Sequence, residues 1–254
     1  MSDSIRILLH GARGRMGAAL CATLAEFPAA VVVASVDRHG AGVLPGAAAL
    51  TAAELDKAPA FDVAIDFSAP EGFDAVLALC RERDAGLVSG TTGLSQAQFT
   101  RLSEAAQQLP VIWASNYSVG MAALKRAAAL LAAQVDWDCE IVEAHHRHKR
   151  DAPSGSALGL MQAVADARGG ATGFVDRIAA NGEPRTAGSI GIASVRGGSV
   201  VGDHTVHFLT AGERLELTHR ADDRAIFARG AWQAALRLSG RPAGRYQLDE
   251  LLWS

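Results

Sequence analysis

The chain has 254 residues, which suits one large domain or two small ones, and its 49% hydrophobic and 20% charged residues argue against intrinsic disorder. A formal net charge of −3 provides no surface for nucleic-acid phosphates, and no apolar run reaches the ~20 residues that a membrane-spanning helix needs. The first residues lack the pattern of a secretory signal and the three cysteines form no CxxC pair, so we expect a cytoplasmic protein without a disulfide framework.

Short apolar strands alternate with helical patterns in the first half of the chain. We predict strands at residues 5–9, 31–36, 61–67 and 111–114, and helices at 16–26, from Pro70 to about 83, and after Ser95. A strand followed by a helix and a second strand is the unit of a parallel sheet with right-handed crossovers. The pattern therefore predicts a Rossmann-like domain.

The pattern changes after Asn116. We predict a helix at 119–135, a strand at 139–142, a helix from Ser154, a strand at 189–195, a hairpin of 204–209 with 214–219, and a last helix at 224–238. The whole chain is thus expected to be an α/β protein. Residues 1–117 plus 225–254 would form the dinucleotide-binding domain, and residues 118–224 an inserted α+β domain with a mixed sheet.

A glycine-rich turn, Gly11-Ala12-Arg13-Gly14-Arg15-Met16-Gly17, follows the first strand and opens a helix. This context is typical of a dinucleotide-binding turn, because chain without Cβ atoms can approach a pyrophosphate at a helix N-terminus. Asp37 ends the second strand, where an acid can bind a ribose 2′-OH, and Arg38 could hold a 2′-phosphate. The pair predicts that both NADH and NADPH are tolerated. The spacing is GxxGxxG, so a tight turn without a ligand stays open for the motif alone.

Two further turns follow predicted parallel strands. Gly90-Thr91-Thr92-Gly93 and Ala114-Ser115-Asn116-Tyr117 lie at the carboxyl edge of the sheet, where ligands bind in open α/β folds. The first turn could approach a nicotinamide, and the Asn116 amide could bind its carboxamide or the substrate. An ordinary left-handed turn is the alternative for Gly90–Gly93.

The densest chemistry lies in Glu143-Ala144-His145-His146-Arg147-His148-Lys149-Arg150-Asp151. A metal site is disfavoured because the cations oppose a divalent ion and the spacing fails the zinc patterns, so we expect no metal. A solvated basic loop stays open. The catalytic interpretation is that His145 and Lys149 handle protons beside an anionic substrate. Only three of the 24 Lys and Arg residues are Lys, and Lys can give up a proton whereas Arg cannot.

The next residues, Asp151-Ala-Pro-Ser154-Gly155-Ser156-Ala157, lead into a helix. Ser154 is predicted to be its N-cap, and the N–H groups near Gly155 and Ser156 with the Ser156 hydroxyl could seat a carboxylate. Two anion sites on one segment suit a dicarboxylate. A plain capped helix is the alternative.

Residues 143–157 resemble the signature of the dihydrodipicolinate reductase family. The GxxGRMG turn, the Gly-Thr-Thr-Gly turn, the Ala-Ser-Asn-Tyr-Ser segment and the region 188–219 are similar to that family in the same order, so the resemblance covers almost the whole chain. It implies NAD(P)H-dependent reduction of a cyclic imine dicarboxylate in the diaminopimelate route to lysine. It also implies a homotetramer built through the mixed sheet of the substrate-binding domain.

Carried over residue by residue, the resemblance assigns a proton donor or acceptor to His145 and a second proton donor to Lys149. The implied substrate contacts are His146, Gly155 and Ser156. The implied cofactor contacts are Gly11, Ala12, Arg13, Gly14, Arg15, Met16, Asp37, Arg38, Gly90, Thr91, Thr92, Ala114, Ser115, Asn116 and Tyr117. The chain departs from the family at Ser156 (usually Thr), Arg13 (usually Gly) and Tyr117 (usually Phe).

Two other classes of protein share part of this pattern. Another two-domain NAD(P) dehydrogenase would have the glycine turn without residues 143–157, and a dinucleotide sensor would keep the glycines but not the His/Lys/Ser group. A coupled assay with aspartate semialdehyde, pyruvate, the preceding synthase and NAD(P)H separates the three.

Overall fold

A computed structural model describes residues 4–40, 42–170, 174–176 and 184–253 of the chain. The chain divides into two compact units. Unit 1 comprises Met1–Val119 and Arg224–Ser254, and unit 2 comprises Gly120–Asp223. Within the described ranges, no helix is both long and apolar enough to cross a membrane.

Unit 1 is built on a parallel sheet. Numbered in chain order, its strands are β1 (Ile5–His10), β2 (Ala30–Asp37), β3 (Ala48–Thr51), β4 (Val63–Asp66), β5 (Gly86–Ser89), β6 (Pro110–Trp113) and β12 (Gly244–Tyr246). Their spatial order is β12-β6-β5-β4-β1-β2-β3, and every pair is parallel. β4 and β5 are buried throughout, as expected of strands covered on both faces.

The helices of unit 1 begin where local sequence signals place them. They are α1 (Arg15–Thr23), α2 (Pro70–Arg83), α3 (Gln96–Ala105), α6 (Ala225–Leu238) and α7 (Leu248–Trp253). Pro70 occupies the first turn of α2, and Ser95 caps α3 in a capping box with Gln98, both as predicted. Short 3₁₀ helices follow α1 and β3. The strands β3 and β12 and the helix α7 were not predicted.

Close packing in unit 1 depends on a glycine inside α6. This helix packs against α1, β4 and β5. A Cβ atom added at Gly230 would overlap the carbonyl oxygen of Tyr117. The backbone of α6 thus lies against the segment after β6 at a distance that only glycine permits.

Unit 2 contains a mixed sheet covered by helices α4 (Val119–Ala132, whose first residue belongs to unit 1) and α5 (Gly155–Ala167). Its strands are β7 (Asp138–His145), β8 (Phe174–Asp176), β9 (Ile190–Arg196), β10 (Gly202–Thr210) and β11 (Glu213–Ala221), in the order β11-β10-β7-β9-β8. β10 is antiparallel to β7 and β11, whereas β7 and β8 run parallel to β9. The prediction of a Rossmann-like domain with an inserted mixed-sheet domain is confirmed.

Along β7 and β10 buried residues alternate with more exposed ones, and the buried residues share the inner face of the sheet. Ile141, Val206 and Phe208 are fully buried and join Leu160 and Val164 of α5 in one core. β7 is longer than the predicted strand 139–142 and continues to His145. The first predicted catalytic residue therefore lies on a strand, with Glu143 two positions earlier on the same face.

Two helix-interior glycines test the packing of α6. We expect Gly230→Ala to lower the free energy of unfolding by about 1–3 kcal/mol, because the new methyl group has to displace backbone. A Cβ atom added at Gly159 in α5 would have no neighbouring atom within 4 Å, so Gly159→Ala should instead stabilise by about 0.5–1 kcal/mol through helix propensity. Denaturant unfolding measures both, and changes of the same sign would contradict the packing account.

Candidate active site

The glycine turn of unit 1 forms a cradle of backbone at the start of α1. Gly11 adopts φ +81°, and a Cβ there would lie 2.5 Å from the carbonyl oxygen of Phe67. The N–H of Gly14 donates to the carbonyl of Gly11 at 3.0 Å. Gly14 is the N-cap of α1 and has no side chain to bind the first N–H groups of that helix, where Arg15 and Met16 lie. Backbone donors and the positive end of the helix dipole thus meet at the turn.

A cleft of about 400 Å³ opens beside this turn. Its lining includes the predicted Gly11, Gly14, Asp37 and Arg38 at the carboxyl ends of β1 and β2. The carboxylate of Asp37 accepts a hydrogen bond from the backbone N–H of Arg13 at 3.0 Å. The structure therefore brings the glycine turn and the predicted ribose acid together. Sequence reasoning missed the other lining residues, which are His10, His39, Ala52, Phe67, Ser68, Ala69, Glu71 and Gly72.

A buried carboxylate, Asp66 at the end of β4, lies behind this edge of the sheet. It accepts hydrogen bonds from His10 Nδ1 (2.9 Å), from the N–H and hydroxyl of Ser68 (3.2 and 2.6 Å), and from the hydroxyls of Ser89 (2.8 Å) and Thr91 (2.7 Å). Burial alone would raise the pKa of Asp66, but these hydrogen bonds, led by that of His10, lower it overall. The carboxylate ties together the ends of β1, β4 and β5.

Three polar side chains of the two turns predicted to face a nicotinamide are engaged within unit 1. Thr91 is buried and donates to Asp66, and the hydroxyl of the buried Tyr117 donates to the carbonyl of Ser89 at 2.7 Å. The side-chain oxygen of Asn116 accepts the N–H of Ser118 at 2.8 Å. A ligand contact from Thr91 or Tyr117 would therefore come from their backbone. The remaining residues of these turns, Gly90, Thr92, Ala114 and Ser115, follow β5 and β6, and Ala12 is buried in the glycine turn.

Unit 2 has its own buried carboxylate, Glu143 on β7. It accepts two bonds from Arg196 (both 2.7 Å), one from His145 Nδ1 (2.6 Å) and one from the N–H of Ser154 (3.1 Å). Burial would raise the pKa of Glu143, but the hydrogen bonds, led by those of Arg196, lower it to about 2. Glu143 is thus a fixed negative charge that Arg196 neutralises. Sequence reasoning considered Glu143 only as a ligand of a metal site, which it disfavoured.

The imidazole of His145 is held at one end by Glu143 and directs its other nitrogen past Gly202. A Cβ added at Gly202 would lie 3.0 Å from His145 Nε2, so the absence of a side chain there makes room for the ring. Burial lowers the pKa of His145 below its ordinary value, although Glu143 opposes the shift. The ring is therefore mainly neutral at pH 7.

A second histidine, which sequence reasoning did not select, lies against His145. His204 on β10 is 2% exposed, and its ring meets that of His145 edge-to-face at a centroid distance of 5.1 Å. Its Nε2 shares a hydrogen bond of 3.1 Å with the hydroxyl of Ser154. Burial lowers the pKa of His204 to about 4.

Lys149 has a partner that the sequence analysis did not anticipate. Its Nζ lies 2.9 and 2.8 Å from the two carboxylate oxygens of Asp151. Burial would raise the pKa of Asp151, but Lys149 lowers it overall. The amine is thus paired with a carboxylate rather than placed among cations alone. Arg196 also binds the carbonyl of Asp151 at 2.6 Å, which fixes the segment after β7.

The predicted substrate-binding residues lie after the end of β7 and at the start of α5. Ser154 is the N-cap of α5, as predicted, and its hydroxyl accepts the N–H of Ala157 at 3.2 Å. Gly155 and Ser156 open the helix, at the end where N–H groups project beyond it. Nδ1 of His146 is buried and has no hydrogen-bond partner among the described residues. His145, His146, Lys149 and the start of α5 therefore all lie in unit 2.

Comparison with known proteins identifies relatives along the entire chain. A family model described as "Dihydrodipicolinate reductase, N-terminus" matches residues 5–117, and one described as "Dihydrodipicolinate reductase, C-terminus" matches residues 117–252. A 4-hydroxy-tetrahydrodipicolinate reductase of Stenotrophomonas maltophilia is 51% identical over 255 residues, with 98% of each chain covered. That of Xanthomonas axonopodis pv. citri is 48% identical, with 99% of each chain covered.

Solved structures share the fold. A dipicolinate-bound dihydrodipicolinate reductase from Paenisporosarcina sp. TG-14 superposes with a TM-score of 0.76 at 24% identity, over 96% of this chain and 97% of that one. A DAP dehydrogenase of C. glutamicum in complex with DAP gives a TM-score of 0.58 at 16% identity, over 98% of this chain and 94% of that one. At these identities the likeness concerns the architecture alone.

Proposed function

The chain belongs to the dihydrodipicolinate reductase family and has its reductase activity in the diaminopimelate route to lysine; from this premise we propose which residues carry the reaction. His145 and Lys149 transfer protons, and His146, Gly155 and Ser156 bind the dicarboxylate substrate. The observation that carries the proposal is the fixed Glu143–His145 pair beside the start of α5.

A nicotinamide dinucleotide fits the residues of unit 1. The cradle at Gly11 has no room for a Cβ, and the backbone donors of Arg15 and Met16 at the start of α1 suit a pyrophosphate. Asp37 would bind the adenosine ribose, and Arg38 a 2′-phosphate when the cofactor is NADPH. The backbone after β5 and β6, at residues 90–92 and 114–117, would bind the nicotinamide end. When bound, the cofactor supplies the hydride.

We assign cofactor binding to residues 1–117 plus 225–254 and substrate binding to residues 118–224. The substrate carries two carboxylates, and the start of α5 offers a seat for one of them. Arg196 neutralises Glu143, so that buried carboxylate does not repel the ligand. His146 contributes a further polar contact, which its buried and unpartnered Nδ1 supports.

The proton-transfer groups differ in charge, and this difference assigns their roles. Hydride addition at C4 of the conjugated ring places an electron pair on an enamine, which then takes a proton at the adjacent carbon. The ammonium of Lys149, held by Asp151, donates that proton. His145 is mainly neutral because burial lowers its pKa, so we assign it the role of a proton acceptor.

We propose a homotetramer in the cytoplasm. The outer face of the mixed sheet exposes Val142 and Val195, which are 37% and 52% accessible. Neighbouring Thr205 and Thr218 bond to each other on the same face. An apolar patch on the sheet face opposite α4 and α5 suits a contact between subunits. The thiols of Cys21, Cys80 and Cys139 are all free, which suits a reducing compartment.

Lys149→Ala tests the catalytic assignment. We expect kcat in the coupled assay to fall by about 10²–10⁴-fold, because a proton donor is lost, while NADH binding is unchanged. Lys57→Ala is the matched control, since Lys57 also pairs with a carboxylate, Glu54, but lies at the surface of unit 1. Full turnover by Lys149→Ala would remove Lys149 from the mechanism.

Arg38→Ala tests the cofactor assignment. We expect the Kd for NADPH to rise by about 10–100-fold, because a charge-assisted hydrogen bond to the 2′-phosphate is lost, with little change for NADH. Arg101→Ala, which removes an exposed arginine paired with Asp74, is the control. An equal loss for both cofactors, measured by fluorescence titration, would contradict the role of Arg38.

Val142→Glu combined with Val195→Glu tests the assembly. We expect sedimentation velocity to show a tetramer for the wild-type chain and smaller species for the double variant, because like charges would meet on a buried face. A wild-type monomer, or a tetramer that both substitutions leave intact, would argue against an interface on this face.

A further inference from the structure

Four residues in unit 2 form a closed cycle of contacts. His145 bonds to Glu143 at 2.6 Å, and Glu143 accepts the N–H of Ser154 at 3.1 Å. The Ser154 hydroxyl bonds to His204 at 3.1 Å, and the His204 ring returns to His145 at 5.1 Å. Three of these residues have an assigned or evident function, as proton-transfer group, carboxylate anchor and helix cap. His204 does not.

Strand register places His204 among these four contacting residues. On β10 it is paired directly with Glu143 of β7 on one side and with His219 of β11 on the other. Side chains at paired positions point to the same face, so His204 and Glu143 flank the start of α5 from neighbouring strands. Ser154 is consequently held twice, by its N–H and by its hydroxyl.

His204 contributes shape and a hydrogen bond rather than charge. The charged groups that face His145 are Glu143 on its own strand, Arg196 from β9 and Lys149 from the segment after β7. His204 approaches from β10 and is uncharged at neutral pH, because burial lowers its pKa to about 4. The edge-to-face contact with the His204 ring limits how far the His145 imidazole can turn while it keeps its hydrogen bond to Glu143.

We propose that His204 is a positioning residue for the reduction: its ring fixes the orientation of the His145 imidazole, and its bond to Ser154 ties that orientation to the carboxylate seat at the start of α5. This role rests on the proposed function of His145. It accounts for an imidazole at position 204, since a phenyl ring would lack the bond to Ser154 and an amide would lack the ring.

A double-mutant cycle tests the proposal. We expect His204→Gln to lower kcat about tenfold in the wild-type background and less than about twofold in a His145→Gln background, because the effect passes through His145. His207→Gln is the control, since His207 lies on the same strand and faces the opposite side of the sheet. If His204→Gln does not fold, His204→Phe is carried through the same cycle, with the expected loss appearing mainly as a higher KM for the substrate.

The titration of His145, followed by NMR of its ring protons, provides a readout that a purely structural role would not change. Removing the covering ring lets water reach His145, so its pKa should rise toward the ordinary value, with the acid limb of kcat moving to higher pH in parallel. Equal losses in both backgrounds, or wild-type kcat with an unmoved titration, would overturn the role of His204. If His145→Gln alone keeps wild-type turnover, the proposed function itself fails instead.

Discussion

A carboxylate that is cut off from water has to be saturated by hydrogen-bond donors, and in each unit the donors come from the segments that carry its candidate functional residues. Asp66 draws on His10, Ser68, Ser89 and Thr91, and so fixes three strand ends at the edge of the parallel sheet. Glu143 draws on Arg196, His145 and Ser154. Removing either carboxylate would leave several buried donors without an acceptor, which costs far more than one lost bond.

The two buried carboxylates have different roles. Asp66 binds side chains at the ends of β1, β4 and β5, so it sets the backbone shape of the turns that follow these strands. Glu143 binds Nδ1 of His145, the proposed proton-transfer group, and leaves Nε2 of that ring for the proposed chemistry. Because Arg196 makes a bidentate contact and the pKa of Glu143 is lowered to about 2, Glu143 keeps its charge throughout the neutral range.

Local signals in the sequence were enough to predict most of the fold. Pro70 and Ser95 start helices through contacts within a few residues, and the hairpin of β10 and β11 follows from alternation around Gly212. β3 and β12 were missed because three or four residues carry too little periodicity, and pairing with β2 and β6 decides their conformation.

The residues of the candidate site also differ in whether the sequence alone could identify them. His145, Lys149, Gly155 and Ser156 lie in one contiguous motif and could be selected from the sequence. His10 and Asp66 are 56 positions apart, and Ser154 and His204 are 50 apart, so only strand order and register bring them together.

Unit 1 is assembled from both ends of the chain, and this sets an order of events during synthesis. Until the last segment has left the ribosome, β6 has no β12 to pair with and α1 has no α6 to pack against. Every residue of unit 2 emerges earlier, and domains fold as units once complete. A nascent or prematurely terminated polypeptide could thus possess a finished mixed sheet, with His145 and Lys149 in place, while unit 1 is still incomplete.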